Sequence, residues 1–186
     1  MVIGTKQLLK LVKEKKLIEN LDKREITNPE GTGFDLRVEK LFIPEGETFL
    51  GITHRQTSEL KEVCSFDKSK KKQTVYPIKP GEFYLSKTME KVNTPPNAVG
   101  MILPRTTLFR MGLFMQTGFC QPGYNGDLFF GIFNTSRQIY NLEMGARYAH
   151  IIFHQIDGGL VRSYQGQWQG GRATTKHSTK GLEEQI

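Results

Sequence analysis

From Phe34 onward the chain loses the three- and four-residue apolar spacing of an amphipathic helix and breaks into short apolar segments. They run over 34–38, 40–43, 48–52, 74–78, 83–86, 99–103, 113–117, 128–133, 138–142 and 148–156, and Gly, Pro or Asn separates most of them. Short segments between turn signals suit strands rather than helices. The spacing therefore predicts a mainly β protein with a distorted antiparallel β-barrel or jelly-roll-like core. Residues 6 to 18 carry Leu8, Leu11, Val12 and Ile18 with lysines between them, which predicts an N-terminal helix with Thr5 as its N-cap. A second short helix is expected at 106–111. From Tyr164 the glycines at 166, 170, 171 and 181 lie among polar residues, which predicts a flexible C-terminal arm over about 164–186.

A chain of 186 residues suits one domain spanning 1–186. Charges interrupt every apolar stretch of the first twenty residues, so they read as no signal peptide, and no run is long enough for a membrane span. Cys64 and Cys120 form no CxxC pair and read as buried, reduced thiols of a cytoplasmic protein. His54, His150, His154 and His177 lack ligand spacing, so no protein-borne metal site is expected. The net charge of +7 favours anionic partners, either small polyphosphates or nucleic acid. The chain lacks the aromatic–basic interleaving of a single-strand platform, which makes nucleic acid the weaker partner. Lys68, Lys70, Lys71 and Lys72 read as a solvated loop.

Three segments bear on chemistry. In Pro104-Arg105-Thr106-Thr107-Leu108-Phe109-Arg110, two hydroxyls follow an arginine at a helix start, and a second arginine follows. Free amides at a helix start attract anions, and arginine adds bidentate phosphate contacts; an ordinary capped helix with surface arginines is the competing reading. In Gly118-Phe119-Cys120-Gln121-Pro122-Gly123-Tyr124-Asn125-Gly126-Asp127, Pro-Gly and Asn-Gly flank one tyrosine, which describes a tight hairpin. Such a turn can offer backbone groups to a base edge, or it can be a plain hairpin. Ser163-Tyr164-Gln165-Gly166-Gln167-Trp168-Gln169-Gly170-Gly171-Arg172 reads as an arm that closes over a ligand, or as a basic tail.

These segments occur in order with Gly33-Phe34-Asp35-Leu36-Arg37, with Ile78-Lys79-Pro80-Gly81-Glu82-Phe83-Tyr84-Leu85, and with Thr88-Met89-Glu90-Lys91-Val92. Pro95-Pro96-Asn97, Asn134 and Met144-Gly145 complete the set. Taken together, the chain resembles the dCTP deaminase and trimeric dUTPase superfamily from residue 1 to about 175. Its N-terminal helix and Tyr-Gln-Gly-Gln arm are similar to the deaminase branch. The resemblance implies a dUTPase-type fold and a homotrimer with shared sites, acting on dCTP or dUTP with magnesium bound to the triphosphate. It implies that Arg105, Thr106 and Thr107 grip the triphosphate, and that Thr107 helps to hold the active-site water. It also implies that Arg110 reaches a neighbouring chain's site, that Gln121 and Tyr124 form the base and sugar pocket, and that Gln167 belongs to the closing arm.

Two positions depart from that pattern. The aspartate that activates water in the dUTPase branch is matched by Gln121, and the proton-shuttling glutamate of the deaminase branch by Gly131. A glutamine amide is no base at neutral pH and glycine has no side chain. Loss of a general base lowers a rate by about 10²–10⁴. Asp127 and His150 are the candidate substitutes, each with a plainer reading as a surface aspartate and a strand histidine. Two functions follow. One is a dCTP deaminase-like enzyme that also acts on dUTP; the other is a catalytically silent deoxynucleotide-binding protein.

Overall fold

The computed structural model describes residues 1–175 and 182–184; His177 and the parts of the expected flexible arm at 176–181 and 185–186 lie outside the described residues. Helix α1 (Thr5–Lys15) buries Leu8 completely. Its cap is Gly4 rather than Thr5: Gly4 is extended, no side chain closes the cap, and Thr5 is already helical. The helix stops at Lys16, which turns left-handed with φ 53°. Ile18, expected on the helix, instead opens β1 (Ile18–Glu19). Helix α2 (Lys23–Thr27) was not foreseen, because the residue it turns inward is Glu25, not an apolar one. Asp22 caps it by accepting the Arg24 amide.

The remaining elements are β2 (Gly33–Glu45), β3 (Phe49–Leu50), β4 (His54–Gln56), β5 (Glu59–Ser65), β6 (Val75–Ile78), β7 (Phe83–Asn93), β8 (Ala98–Pro104), α3 (Thr106–Arg110), β9 (Leu113–Gln116), β10 (Phe119–Cys120), β11 (Asn125–Asn134), β12 (Tyr140–Glu143), β13 (Arg147–Gln155) and β14 (Glu183–Glu184). The expected mainly β, antiparallel architecture is what the chain adopts. The segments expected at 34–38 and 40–43 are one strand, β2, with a bulge against β7 between Val38 and Lys40. That irregularity lets β2 pair with β13 through its first half and with β5 and β7 through its second.

β7 runs far beyond the expected 83–86 because its inward positions turn polar: Ser86, Thr88 and Glu90 are all buried. Each has a partner, as buried polar groups must. Ser86 Oγ donates to Phe130 O at 3.0 Å and Thr88 Oγ1 to Glu90 O at 2.7 Å. Arg37 meets Glu90 through its backbone amide at 2.8 Å and through Nε at 2.7 Å.

The main sheet runs β10-β8-β13-β2-β7-β11-β9, so β10 and β11 stand five strand positions apart. In a flat sheet that is about 24 Å. Only Gln121 to Tyr124 join them, a link that can span at most about 18 Å from Cys120 to Asn125. The sheet therefore curls into a half-barrel, and this turn bridges its two sides. The 118–127 segment is not a hairpin, since β10 pairs with β8 while β11 pairs with β7 and β9. Leu36, Leu41, Phe130, Ile132, Tyr148 and Phe153 pack inside the curl.

Asn134 locks the far end of β11. Its Nδ2 donates to Ile78 O at 2.9 Å and to Gln138 O at 2.8 Å, and its Oδ1 accepts from the Ser136 amide at 3.0 Å and from Ser136 Oγ at 2.7 Å. Asn134→Ala leaves these groups unpaired and is expected to destabilise the fold by about 1–3 kcal/mol, as read from urea unfolding.

Candidate functional site

A cavity of about 670 Å³ opens beside the 121–124 turn. One wall comes from Ile102, Phe119, Cys120 and Gln121, the other from Phe83, Asp127, Leu128 and Phe130, with Tyr124 at the turn between them. The lining is mostly apolar with few polar groups, the usual character of a small-ligand site. Asp127 is its one acidic lining residue and Arg172 its one basic lining residue among the described residues. Burial pushes the Cys120 thiol up to about 12, so it stays neutral and is no nucleophile. Burial likewise raises the Tyr124 phenol, whose hydroxyl donates to Asp127 O.

The described part of the arm docks on this turn. The Tyr164 amide donates to Pro122 O at 2.8 Å, and the Gly170 amide to Asn125 O at 2.7 Å. Gln169 clamps both sides: its Nε2 donates to Gly123 O at 2.9 Å and its Oε1 accepts the Asn125 amide at 3.1 Å. Gly126 is required here, since a Cβ on it would meet Gly171 N at 2.2 Å. Tyr164 stacks edge-on against Tyr124 at 5.8 Å, and Trp168 lines the cavity with the Arg55 guanidinium 5.8 Å from its ring. Gln167 is not a lining residue. It is buried beneath the arm, with neither amide atom hydrogen-bonded.

The two departures sit differently. Gln121 lines the cavity with Tyr124, whereas Gly131 is not among the lining residues. A Cβ at Gly131 would meet Gln116 Oε1 at 2.9 Å and the Phe83 ring at 2.9 Å. Both atoms are the ends of exposed side chains, so a longer side chain would have to displace them. Asp127 faces the cavity and pairs with Lys87 Nζ at 3.1 Å; the same Nζ holds Glu39 at 2.8 Å. Burial pulls the Lys87 ammonium's pKa down, but its bonds to Glu39 and Asp127 outweigh this and raise it, so it remains a fixed cation.

The 105–110 segment lies elsewhere within the chain. None of Arg105, Thr106, Thr107 or Arg110 lines the cavity. Thr106 and Thr107 are exposed on α3, and Arg110 Nη1 donates to Thr106 Oγ1 at 3.1 Å. Arg105 is anchored by Asp35, through Nε to Oδ2 at 3.0 Å. Asp35 is a hub. Its Oδ2 also accepts Arg147 Nη1 at 3.0 Å, and its Oδ1 accepts His150 Nδ1 at 2.9 Å. Buried Glu25 completes the network by accepting the Asp35 amide at 3.1 Å and Arg24 Nη1 at 2.6 Å. His150 thus serves this network and does not line the cavity. Burial raises the Asp35 carboxyl's pKa, but the His150 hydrogen bond and the Arg105 and Arg147 charges outweigh it and hold the group below the usual carboxylate range. Trp168 and Arg172 line the cavity, although neither was among the candidate site residues.

Among the described residues no group of three or more His, Cys, Asp or Glu is placed to hold a metal ion, and no helix is long and apolar enough to cross a membrane. A family model described as dCTP deaminase-like matches residues 2–156. A Persephonella marina protein named "dCTP deaminase, dUMP-forming" is 24% identical over 94% of this chain and 95% of its own length. An Aeropyrum pernix protein named "Probable deoxyuridine 5'-triphosphate nucleotidohydrolase" is 30% identical over 74% of this chain and 82% of its own length. The solved structure of 2'-deoxycytidine 5'-triphosphate deaminase from Agrobacterium tumefaciens superposes with a TM-score of 0.61 at 15% identity, covering 82% of this chain and 47% of that one. That likeness is one of fold.

Two outcomes follow from the site's construction. A depressed carboxyl adds stability above its unfolded pKa of about 3.9 and loses it as pH falls through the folded value. Melts from about pH 7 downward should therefore show the acid loss of stability flattened in Asp35→Asn relative to the unaltered chain; parallel curves would contradict the network. Gly131→Glu should destabilise by about 1–3 kcal/mol through overpacking, and Phe83→Ala in the same chain should recover part of that loss in urea unfolding.

Proposed function

The chain belongs to the dCTP deaminase-like family, and from that premise we propose that it is an enzyme of pyrimidine deoxynucleoside triphosphates, converting dCTP to dUTP with dUTP pyrophosphatase activity beside it. The observation that carries this reading is the cavity between the two sides of the half-barrel. It has Tyr124 at the turn, Tyr164 and Trp168 on the arm and, among the described residues, a single carboxylate on its wall. The names of the two relatives divide between the same two chemistries.

In this reading the pyrimidine enters between Tyr124 and Trp168. The Gln121 side chain and the backbone of the turn meet its polar edge, and Gln167 holds the arm in place. Water attack on the ring carbon needs a proton acceptor. Asp127 takes that role in place of Gln121 and Gly131, with the ion pair to Lys87 aiming it. The carbon–nitrogen bond then breaks, ammonia leaves, and the oxygen of the attacking water becomes the new carbonyl. Magnesium bound to the triphosphate would neutralise its charge. A site with one nearby carboxylate suits an ion held mainly by phosphate oxygens and water.

The phosphate-gripping residues Arg105, Thr106 and Thr107, together with Arg110, reach the cavity from a neighbouring copy in a homotrimer. This is why they do not border the cavity of their own chain. We read each chain as one domain that works in the cytoplasm on free nucleotides. A second reading, a silent nucleotide binder, is favoured by one observation: Phe83 fills the space beside Gly131, so the lost glutamate cannot be restored without repacking.

Asp127→Asn is expected to lower dCTP turnover by about 10²–10⁴ while leaving dCTP affinity unchanged, followed by the fluorescence of Trp168, the chain's single tryptophan. Turnover that survives this change would eliminate Asp127 as the base. If sites are shared, mixing inactive Asp127→Asn subunits with inactive Arg110→Ala subunits should restore activity, because some sites in a mixed trimer receive both intact residues. No recovery on mixing would contradict the shared site.

A further inference from the structure

Arg172 is the cation on the cavity wall, yet its guanidinium is directed to a residue near the C-terminus. Gly171 lies against Asp127 so closely that a Cβ on it would meet the Asp127 amide nitrogen at 2.3 Å. Arg172 follows directly in the chain and lines the same cavity as Asp127. Asp127, however, is held by Lys87, and Arg172 turns to Glu183. Its Nη1 donates to Oε1 at 3.1 Å and its Nη2 to Oε2 at 2.8 Å, a two-pronged pairing of guanidinium with carboxylate. Nη2 also donates to Thr174 O at 3.2 Å, which fixes the plane of the group.

A phosphate offers two oxygens to the same fork. Glu183 sits on β14, a strand of two residues that, among the described residues, pairs with β4, itself a three-residue strand. So short a pairing is a weak hold. It also links to the arm, since Glu183 lies opposite Arg55, whose guanidinium sits over the Trp168 ring.

From this geometry we infer that Arg172 is a phosphate-binding residue of the cavity and that Glu183 is the carboxylate it must release when a nucleotide enters. The inference rests on the functional reading of the same cavity and adds to it a residue of the arm. The exchange swaps one anion for another, so competition from Glu183 lowers the apparent affinity for phosphorylated ligands only. Removing the competitor raises the fraction of chains ready to bind.

The test is a titration of Trp168 fluorescence in the full chain with dCTP and, separately, with deoxycytidine. Glu183→Gln is expected to tighten dCTP binding by roughly three- to tenfold and to leave deoxycytidine unchanged. Arg172→Gln is expected to weaken dCTP binding by roughly tenfold or more, with deoxycytidine again unchanged. The Glu183→Gln gain cannot come from a damaged fold. Glu183→Gln binding dCTP no better than the unaltered chain, or Arg172→Gln keeping the full preference for dCTP over deoxycytidine, overturns the assignment while leaving the cavity reading intact. An unaltered chain that responds to neither ligand overturns the cavity reading and this assignment together.

Discussion

Four residues join two strands that stand five positions apart in their sheet, and the rest of the molecule follows from that constraint. Gln121 to Tyr124 cannot cross a flat sheet of that width, so the sheet must close towards itself. The turn is held in place by exchange with the end of β7, the Gly123 amide donating to Thr94 O at 3.0 Å and the Thr94 amide to Tyr124 O at 2.8 Å. Closure creates the cavity. It also places Tyr124 at one end of it and sets Asp127, three residues later, on its wall.

Closure also separates two polar systems. Asp127, Lys87 and Glu39 form a chain of charge beside the cavity. Asp35, Glu25, Arg105, Arg147 and His150 form a second, denser network around α2 and α3. The second orients Arg105 at the start of α3 but leaves it outside its own chain's cavity. Half of the chemistry attributed to this family by resemblance is thus presented on one surface and half in another place. In the proposed reading a neighbouring copy unites them.

Much of the architecture was legible in the sequence, because short apolar segments between Gly, Pro and Asn leave little choice but strands. The limits came where inward positions are polar. α2 hides behind Glu25, and β7 continues through Ser86, Thr88 and Glu90, whose burial depends on partners such as Arg37 that lie far away in the sequence. The turn at 121–124 looked like a hairpin because its residues are hairpin residues; pairing partners are a matter of topology, which local composition does not encode. At the site, Gln121 and Tyr124 line the cavity. Asp127, a candidate substitute base whose spacing from Gln121 crosses the turn, lines it too. The arm was read for Gln167, yet the neighbouring Trp168 faces the cavity, because the glycine-rich turn at 166–171 lets Gln169 clamp residues 123 to 125 and rotates its neighbours accordingly.

The most direct test of the account is a crystal structure of the full chain with dCTP and magnesium. The account requires the pyrimidine ring between Tyr124 and Trp168, with the triphosphate extending towards the α3 start of an adjacent copy. Nucleotide bound at another surface, for instance over the exposed lysines at 68–72, with the space between Tyr124 and Trp168 left to solvent, would contradict it.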